Sequence, residues 1–213
     1  MKRREFIRSA ALGSMGGLLI SQTFGAQAGG KMLTPREVEG PFYPITVQKD
    51  MDADLTQVEG KVGRAKGTII DIFGQVFDQD GNAIEDVTID LWQANSYGKY
   101  HHPHDNSEAP IDPHFQGWAI LQSGKQGRFK FKTVMPGAYP LNAPQQRTPH
   151  IHIKISKYGY ESLLTQLYFP DQPLNDKDGL FKRKSKQEQK MMTAKKTSKS
   201  NEYRYDIFLQ KAF

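Results

Sequence analysis

From Gly67 onward the chain is built from short apolar runs closed by turn residues. Thr68 to Phe77 is rich in β-branched and aromatic side chains, and it ends at Asp78-Gln79-Asp80-Gly81-Asn82, a composition that favours a turn. Val87 to Trp92 alternates apolar with polar positions, which buries one face of a strand. The same pattern returns in Gly127 to Val134, Ile151 to Ile155, Leu163 to Phe169 and Tyr205 to Leu209. Only the basic stretch from about Ser185 to Ala194 reads as a short helix. Many short strands with Gly and Pro turns and little helical periodicity predict an all-β fold, an antiparallel β-sandwich with long loops.

Length and composition narrow this further. A chain of 213 residues accommodates one domain and a short extra segment. With 37% hydrophobic residues, 12 Phe, 9 Tyr and 2 Trp, it has enough apolar bulk for a packed core, so wholesale disorder is excluded. No uninterrupted apolar run reaches the length of a membrane span. There is no Cys, so disulfides, thiolate metal sites and cysteine nucleophiles are excluded, and any metal must sit on His, Tyr or carboxylate. The net charge of +6 is partly concentrated between Lys182 and Lys199, where the basic residues face a single acid, Glu188. Without interleaved aromatics that run reads as a solvated face, and no nucleic-acid partner is expected.

The first 28 residues are set apart. Lys2-Arg3-Arg4 followed by Phe6-Ile7, a weakly apolar Gly-rich stretch and Ala26-Gln27-Ala28 resemble the twin-arginine export signal of bacteria, with an ordinary secretory signal as the alternative. The expected organisation is therefore a signal over residues 1–28, an N-terminal arm over 29–66 and a sandwich domain over 67–213. The protein is expected to be exported, to the periplasm or beyond.

The candidate chemistry lies in Arg147-Thr148-Pro149-His150-Ile151-His152. On a strand His150 and His152 project from one face while Ile151, Ile153 and Ile155 project from the other. Two imidazoles then converge as a metal clamp, although a His-x-His pair alone is weak evidence. The stretch Gly74 to Val87 fits the Gly-x-Val-x-Asp-x-x-Gly-x-x-Ile-x-x-Val form common in transthyretin-like sandwiches, many of which bind without turnover. More specific are Gly40-Pro41-Phe42-Tyr43-Pro44, Leu91-Trp92-Gln93-Ala94-Asn95 with Gly98-Lys99-Tyr100-His101-His102, Met135-Pro136-Gly137-Ala138-Tyr139-Pro140, and Leu164-Thr165-Gln166-Leu167-Tyr168-Phe169.

Taken in order with His150-Ile151-His152, these motifs resemble the intradiol ring-cleavage dioxygenases, most of all the protocatechuate 3,4-dioxygenase-like branch. The resemblance covers about residues 38 to 209. It implies a non-haem Fe(III) ion held by Tyr100, Tyr139, His150 and His152, since phenolates are hard anionic ligands that stabilise the ferric state. It implies a small aromatic diol and O2 as substrates, with oxygen inserted between the two hydroxylated carbons to give a cis,cis-muconate-type diacid. Tyr139 then also takes a proton, Arg147 steadies negative charge developing on the ring, and Gln166 is a polar residue near the oxygen-binding face. One chain carrying all four ligands could act alone or as a homo-oligomer. A secreted transthyretin-like binding module is the rival from another class, and a dioxygenase for hydroxyquinol or a larger aryl diol the nearer one.

Overall fold

The computed structural model describes residues 31–46, 48–142 and 145–213. The signal expected over residues 1–28 lies outside them. The elements in chain order are β1 (Ile69–Asp78), β2 (Thr88–Trp92), β3 (Trp118–Gln122), β4 (Arg128–Val134), β5 (Tyr139–Asn142), β6 (Gln145–Arg147), β7 (His150–Ser156), β8 (Leu163–Tyr168), α1 (Gly179–Lys182), α2 (Lys186–Met192), β9 (Lys195–Lys196), β10 (Glu202–Arg204) and β11 (Ile207–Leu209).

The alternation in β1 places Ile70, Ile72 and Val76 on a buried face. β4 answers with Phe129 and Phe131, pairing antiparallel to β1 from Ile69↔Val134 to Gln75↔Arg128. A second sheet, in the order β3-β2-β7-β8, is antiparallel throughout and contributes Ile89, Leu91, Ile151, Ile153, Ile155 and Leu167 to the same apolar core. The expected sandwich is therefore present: two sheets, each apolar on its inner face, remove those faces from water by closing on one another.

Two pairings depart from the antiparallel expectation. β10 and β11 both run parallel to β1, Asp71↔Glu202 and Val76↔Ile207, in a single register broken at Tyr205-Asp206. The expected helix over 185–194 forms as α2, with Ser185 and Glu188 in a reciprocal capping box. The arm is no free extension. Leu55 is fully buried in the core, its N–H donates to Lys132 O at 2.9 Å, and Ala53 O accepts from Lys132 N–H. Among the described residues no helix is long and apolar enough to cross a membrane.

The turn after β1 carries a pH-dependent part of the stability. Asp78 is buried, and its carboxylate accepts from the N–H groups of Asp80 and Asn82 at 2.9 and 2.8 Å, from the Asn82 amide, and from Lys211 Nζ at 3.2 Å. Burial pushes this carboxyl up, but the Asn82 and Lys211 bonds outweigh it and hold it at about 2 against an ordinary 3.8. A depressed carboxyl stabilises the fold above its unfolded value and loses that contribution as pH falls toward the folded one. We expect about 2 kcal/mol to disappear between pH 4 and 2. Urea unfolding at stepped pH should show this slope in the wild type and a flatter one in Asp78→Asn.

Candidate metal centre

The apolar face of β7 points into the sandwich, so His150 and His152 project from the outer face of the four-stranded sheet. Strand register sets what surrounds them. Trp92 of β2 pairs with His152, and across β7–β8 His150 faces Tyr168 and His152 faces Gln166. Directly paired residues share a face, so the two imidazoles, Gln166 and Tyr168 belong to one patch. Trp92 lies flat on His152, ring centres 4.8 Å apart at 8°.

The two tyrosines arrive from separate loops joined by a close backbone contact. Asn95 Oδ1 accepts the N–H groups of Tyr97 and Lys99, and Gly98 turns the chain at φ 81°. Gly137 donates to Asn95 O at 2.9 Å. A side chain on Gly98 would collide with the Ala138 carbonyl, and one on Gly137 with the backbone of residues 96–98. Both Gly-x-Tyr elements thus need their glycine for the same reason: the backbones of the two loops touch there. The result is a perpendicular ring pair, Tyr100 and Tyr139, with centres 5.3 Å apart. The Asp105 carboxylate accepts the Tyr100 N–H at 2.8 Å and fixes the loop from the other side.

All four expected ligands are brought together. His150 Nε2 lies 3.1 Å from His152 Nε2 and 3.3 Å from Tyr139 Oη. His150 Nδ1 lies 2.6 Å from Thr148 O, which only accepts, so Nδ1 carries the proton and Nε2 presents a lone pair. Burial holds both histidines well below the ordinary imidazole value, with the Arg147 charge adding to the effect, so both rings are neutral at neutral pH. Burial and the neighbouring Tyr139 push the Tyr100 phenol well up, and burial raises Tyr139 despite the nearby Arg147. Tyr100 Oη is buried without a hydrogen-bond partner.

This donor set fits a hard trivalent cation. It supplies two neutral nitrogens and two phenol oxygens that a cation would convert to phenolates, reversing the effect of burial on them. It also gives the orphaned Tyr100 oxygen a partner. Among the described residues no group of three or more His, Asp or Glu is placed to hold a metal. A metal held at this cluster therefore depends on the tyrosines.

Arg147 and Gln166 also reach this patch. Tyr139 and Arg147 are paired directly across the β5–β6 hairpin. The Arg147 guanidinium is buried, donating from Nε to Asp178 Oδ2 at 2.8 Å and from Nη2 to Gln166 Oε1 at 2.6 Å and Tyr168 Oη at 3.2 Å. Gln166 donates its amide to Val38 O at 2.9 Å, tying the arm to the sheet. Its Oε1, which accepts from Arg147, also accepts from Tyr168 Oη at 2.8 Å.

Sequence reasoning missed three neighbours. Asp178 is fully buried against Arg147, yet its only signal is an Asp three residues before Phe181 at a weak helix start. Phe42 stacks on Tyr100 at 4.7 Å and meets Tyr139 edge-on at 6.0 Å. Asp90 anchors the arm by accepting from Tyr43 Oη at 2.7 Å and Trp118 Nε1 at 2.8 Å, and burial together with Asp90 pushes the Tyr43 phenol up to about 12. Beside Tyr100 a cavity of about 460 Å³ opens between Pro44, Ile45, His102 and Ile111.

Comparison with known proteins gives the family. The family model described as Dioxygenase matches residues 38–211. The chain is 37% identical to the protocatechuate 3,4-dioxygenase beta chain of Burkholderia cepacia over 149 residues, 68% of this chain and 63% of that protein. It is 30% identical to the hydroxyquinol 1,2-dioxygenase of Rhizobium sp. strain MTP-10005 over 158 residues, 68% of this chain and 50% of that protein. The match thus spans less than two thirds of either enzyme's length. Among solved structures, the dioxygenase domain of a dioxygenase carbohydrate-binding protein fusion from Streptomyces sp. SirexAA-E aligns with a TM-score of 0.64 at 28% identity, covering 85% of this chain and 100% of that one. An intradiol ring-cleavage dioxygenase from Tetranychus urticae shares the fold, with a TM-score of 0.66 at 20% identity over 86% of this chain and 97% of that one. A β-sandwich with two tyrosines and two histidines converging on its outer sheet face, and a family match along most of its length, place this chain in the intradiol ring-cleavage dioxygenase family.

Proposed function

We propose that this protein cleaves a catechol-type diol, protocatechuate-like in outline, between its two hydroxylated carbons with O2, using Fe(III) held by Tyr100, Tyr139, His150 and His152. The observation that carries the reading is the convergence of His152 Nε2 and the Tyr139 oxygen on His150 Nε2, at 3.1 and 3.3 Å, beside an unpartnered Tyr100 oxygen. Bound there, the ion would supply Lewis acidity toward the two diol oxygens. The carbon–carbon bond between those oxygens breaks and both atoms of O2 enter the product, a cis,cis-muconate-type diacid.

The chain's own residues divide the remaining work. Tyr139 Oη, as a phenolate, is placed to take a proton from a diol hydroxyl as the diol docks. Arg147, permanently charged and buried opposite Tyr139, stabilises negative charge on the diol. His150 is held in one tautomer by Thr148 O, so its Nε2 needs no reorganisation to serve as a ligand. Phe42 covers Tyr100 and Tyr139 and limits water at the ligand oxygens. On this reading the paired arginines Arg3 and Arg4 address the protein for export.

The purified protein, reconstituted with ferric iron, should show a red phenolate-to-iron band that shifts on anaerobic addition of a diol, and should consume O2 when air is admitted. Catechol, protocatechuate and hydroxyquinol run side by side rank the ring substituents. A preparation that stays colourless after reconstitution overturns the reading in favour of a binding module.

A further inference from the structure

We propose that Asp178 is a positioning residue that aims the Arg147 guanidinium at the diol, an inference that rests on the proposed function. A free arginine side chain samples many rotamers, and fixing it costs up to about 2 kcal/mol of conformational entropy. For its charge to act in the reaction it must be fixed beforehand, since stabilisation that requires rearrangement is spent on the rearrangement.

The contacts made by Asp178 divide by oxygen. Oδ1 caps α1, accepting the N–H groups of Leu180 at 2.9 Å and Phe181 at 3.1 Å. Oδ2 accepts Arg147 Nε at 2.8 Å and the Thr148 N–H at 2.9 Å. A helix cap needs only the first pair. The second joins residues 31 positions apart and grips both the arginine side chain and the backbone immediately after it. That backbone continues into Thr148 O, the acceptor that sets the His150 tautomer.

Asp178 thus holds the inner edge of the guanidinium while Gln166 Oε1 and Tyr168 Oη hold Nη2. Among the described residues nothing hydrogen-bonds to Nη1. Arg147 stands opposite Tyr139 in the hairpin, and its charge reaches each member of the tyrosine and histidine cluster. A fully buried ion pair is a poor stabilising device, since apolar residues of the same volume often do as well. Its use here is orientation.

The test compares Asp178→Asn with Lys182→Gly in the full chain. Lys182→Gly weakens the same short helix from an exposed position; the Lys182 N–H that donates to Asp178 O at 3.0 Å is kept by glycine, and the deleted side chain makes no hydrogen bond or ion pair to Asp178 or Arg147. At equal iron content, Asp178→Asn should lower kcat for catechol by about tenfold or more with KM changed less than about twofold. The resting ferric-phenolate band should not move. In the metal-free protein, the Arg147 Nε–H resonance in ¹⁵N NMR should exchange with solvent at least about tenfold faster than in the wild type. Lys182→Gly should lower Tm and leave kcat and that exchange rate unchanged. Wild-type kcat in Asp178→Asn, or equal losses in the two variants, overturns the proposal. If the wild type neither holds iron nor turns over a diol, the functional reading has failed by itself. The NMR comparison then still decides the positioning: faster exchange in Asp178→Asn supports it, and equal rates refute it.

Discussion

His152→Ala will lose the iron, and with it all turnover. Two of the four converging donors sit on β7, and His152 is one of them, almost fully buried with its Nε2 3.1 Å from that of His150. On the proposed reading, removing one donor of four weakens the hold on the ion, and it leaves a cavity against Trp92, the ring on which His152 stacks. Iron content should fall at least about tenfold and turnover to background. Metal analysis and the visible band check both. Tyr100→Phe is the informative companion. Its hydroxyl is buried and unpartnered in the metal-free protein, so deleting that oxygen removes a desolvation cost and should leave apo stability unchanged or slightly higher. The same substitution should abolish iron-dependent activity. A protein whose metal-free form tolerates Tyr100→Phe while its loaded form fails shows an oxygen kept for a ligand and not for packing. Should Tyr100→Phe retain iron, the band and turnover, that oxygen is no ligand.

The second large effect is expected from Arg147→Ala, which damages stability and turnover by separate routes. With Arg147 gone, the Asp178 carboxylate remains fully buried beside a void, keeping only its backbone partners Thr148, Leu180 and Phe181. Breaking a buried pair from one side costs about 3–5 kcal/mol, most of it the uncompensated charge. Turnover should fall by about a hundredfold or more, as when one preorganised donor is deleted from a charged transition state. Adding Asp178→Ala to Arg147→Ala separates the two. The double variant should recover part of the lost stability, because no unpaired charge remains, and none of the turnover. Denaturant unfolding and kcat measured on the wild type, Arg147→Ala, Asp178→Ala and the double variant give the comparison. Equal stability of the single and double variants would show that the pair is not the buried ionic contact described above.

The candidate ligands were legible in the sequence through motifs that each have a local cause. His150 and His152 need only the two-residue period of a strand, whose other face is Ile151, Ile153 and Ile155. Tyr100 and Tyr139 each follow a glycine by two positions, and the contact between Gly98 and Gly137 shows why both glycines are there. The strands built from β-branched runs were legible for the same reason. β3, Trp118–Gln122, was missed because its burial does not alternate: Trp118 and Ala119 are both buried and Ile120 is exposed.

What the sequence by itself determined, then, is the sandwich class, from the period of its strands, and, through the motif resemblance, the candidate tyrosines, histidines and arginine of the site. What only the tertiary structure decided is everything set by register and by long loops. Arg147 faces Tyr139 because of a hairpin pairing, and Gln166 lies beside His152 because of the β7–β8 register. The C-terminal strand lies parallel to β1 because the chain crosses the whole sandwich before returning to it. Asp178 reaches Arg147 across 31 positions, and Phe42 reaches Tyr100 from the arm. Such contacts leave no trace in local periodicity. They are fixed by packing and by the need to satisfy buried charge and hydrogen bonds, and those demands exist only once the two sheets have closed.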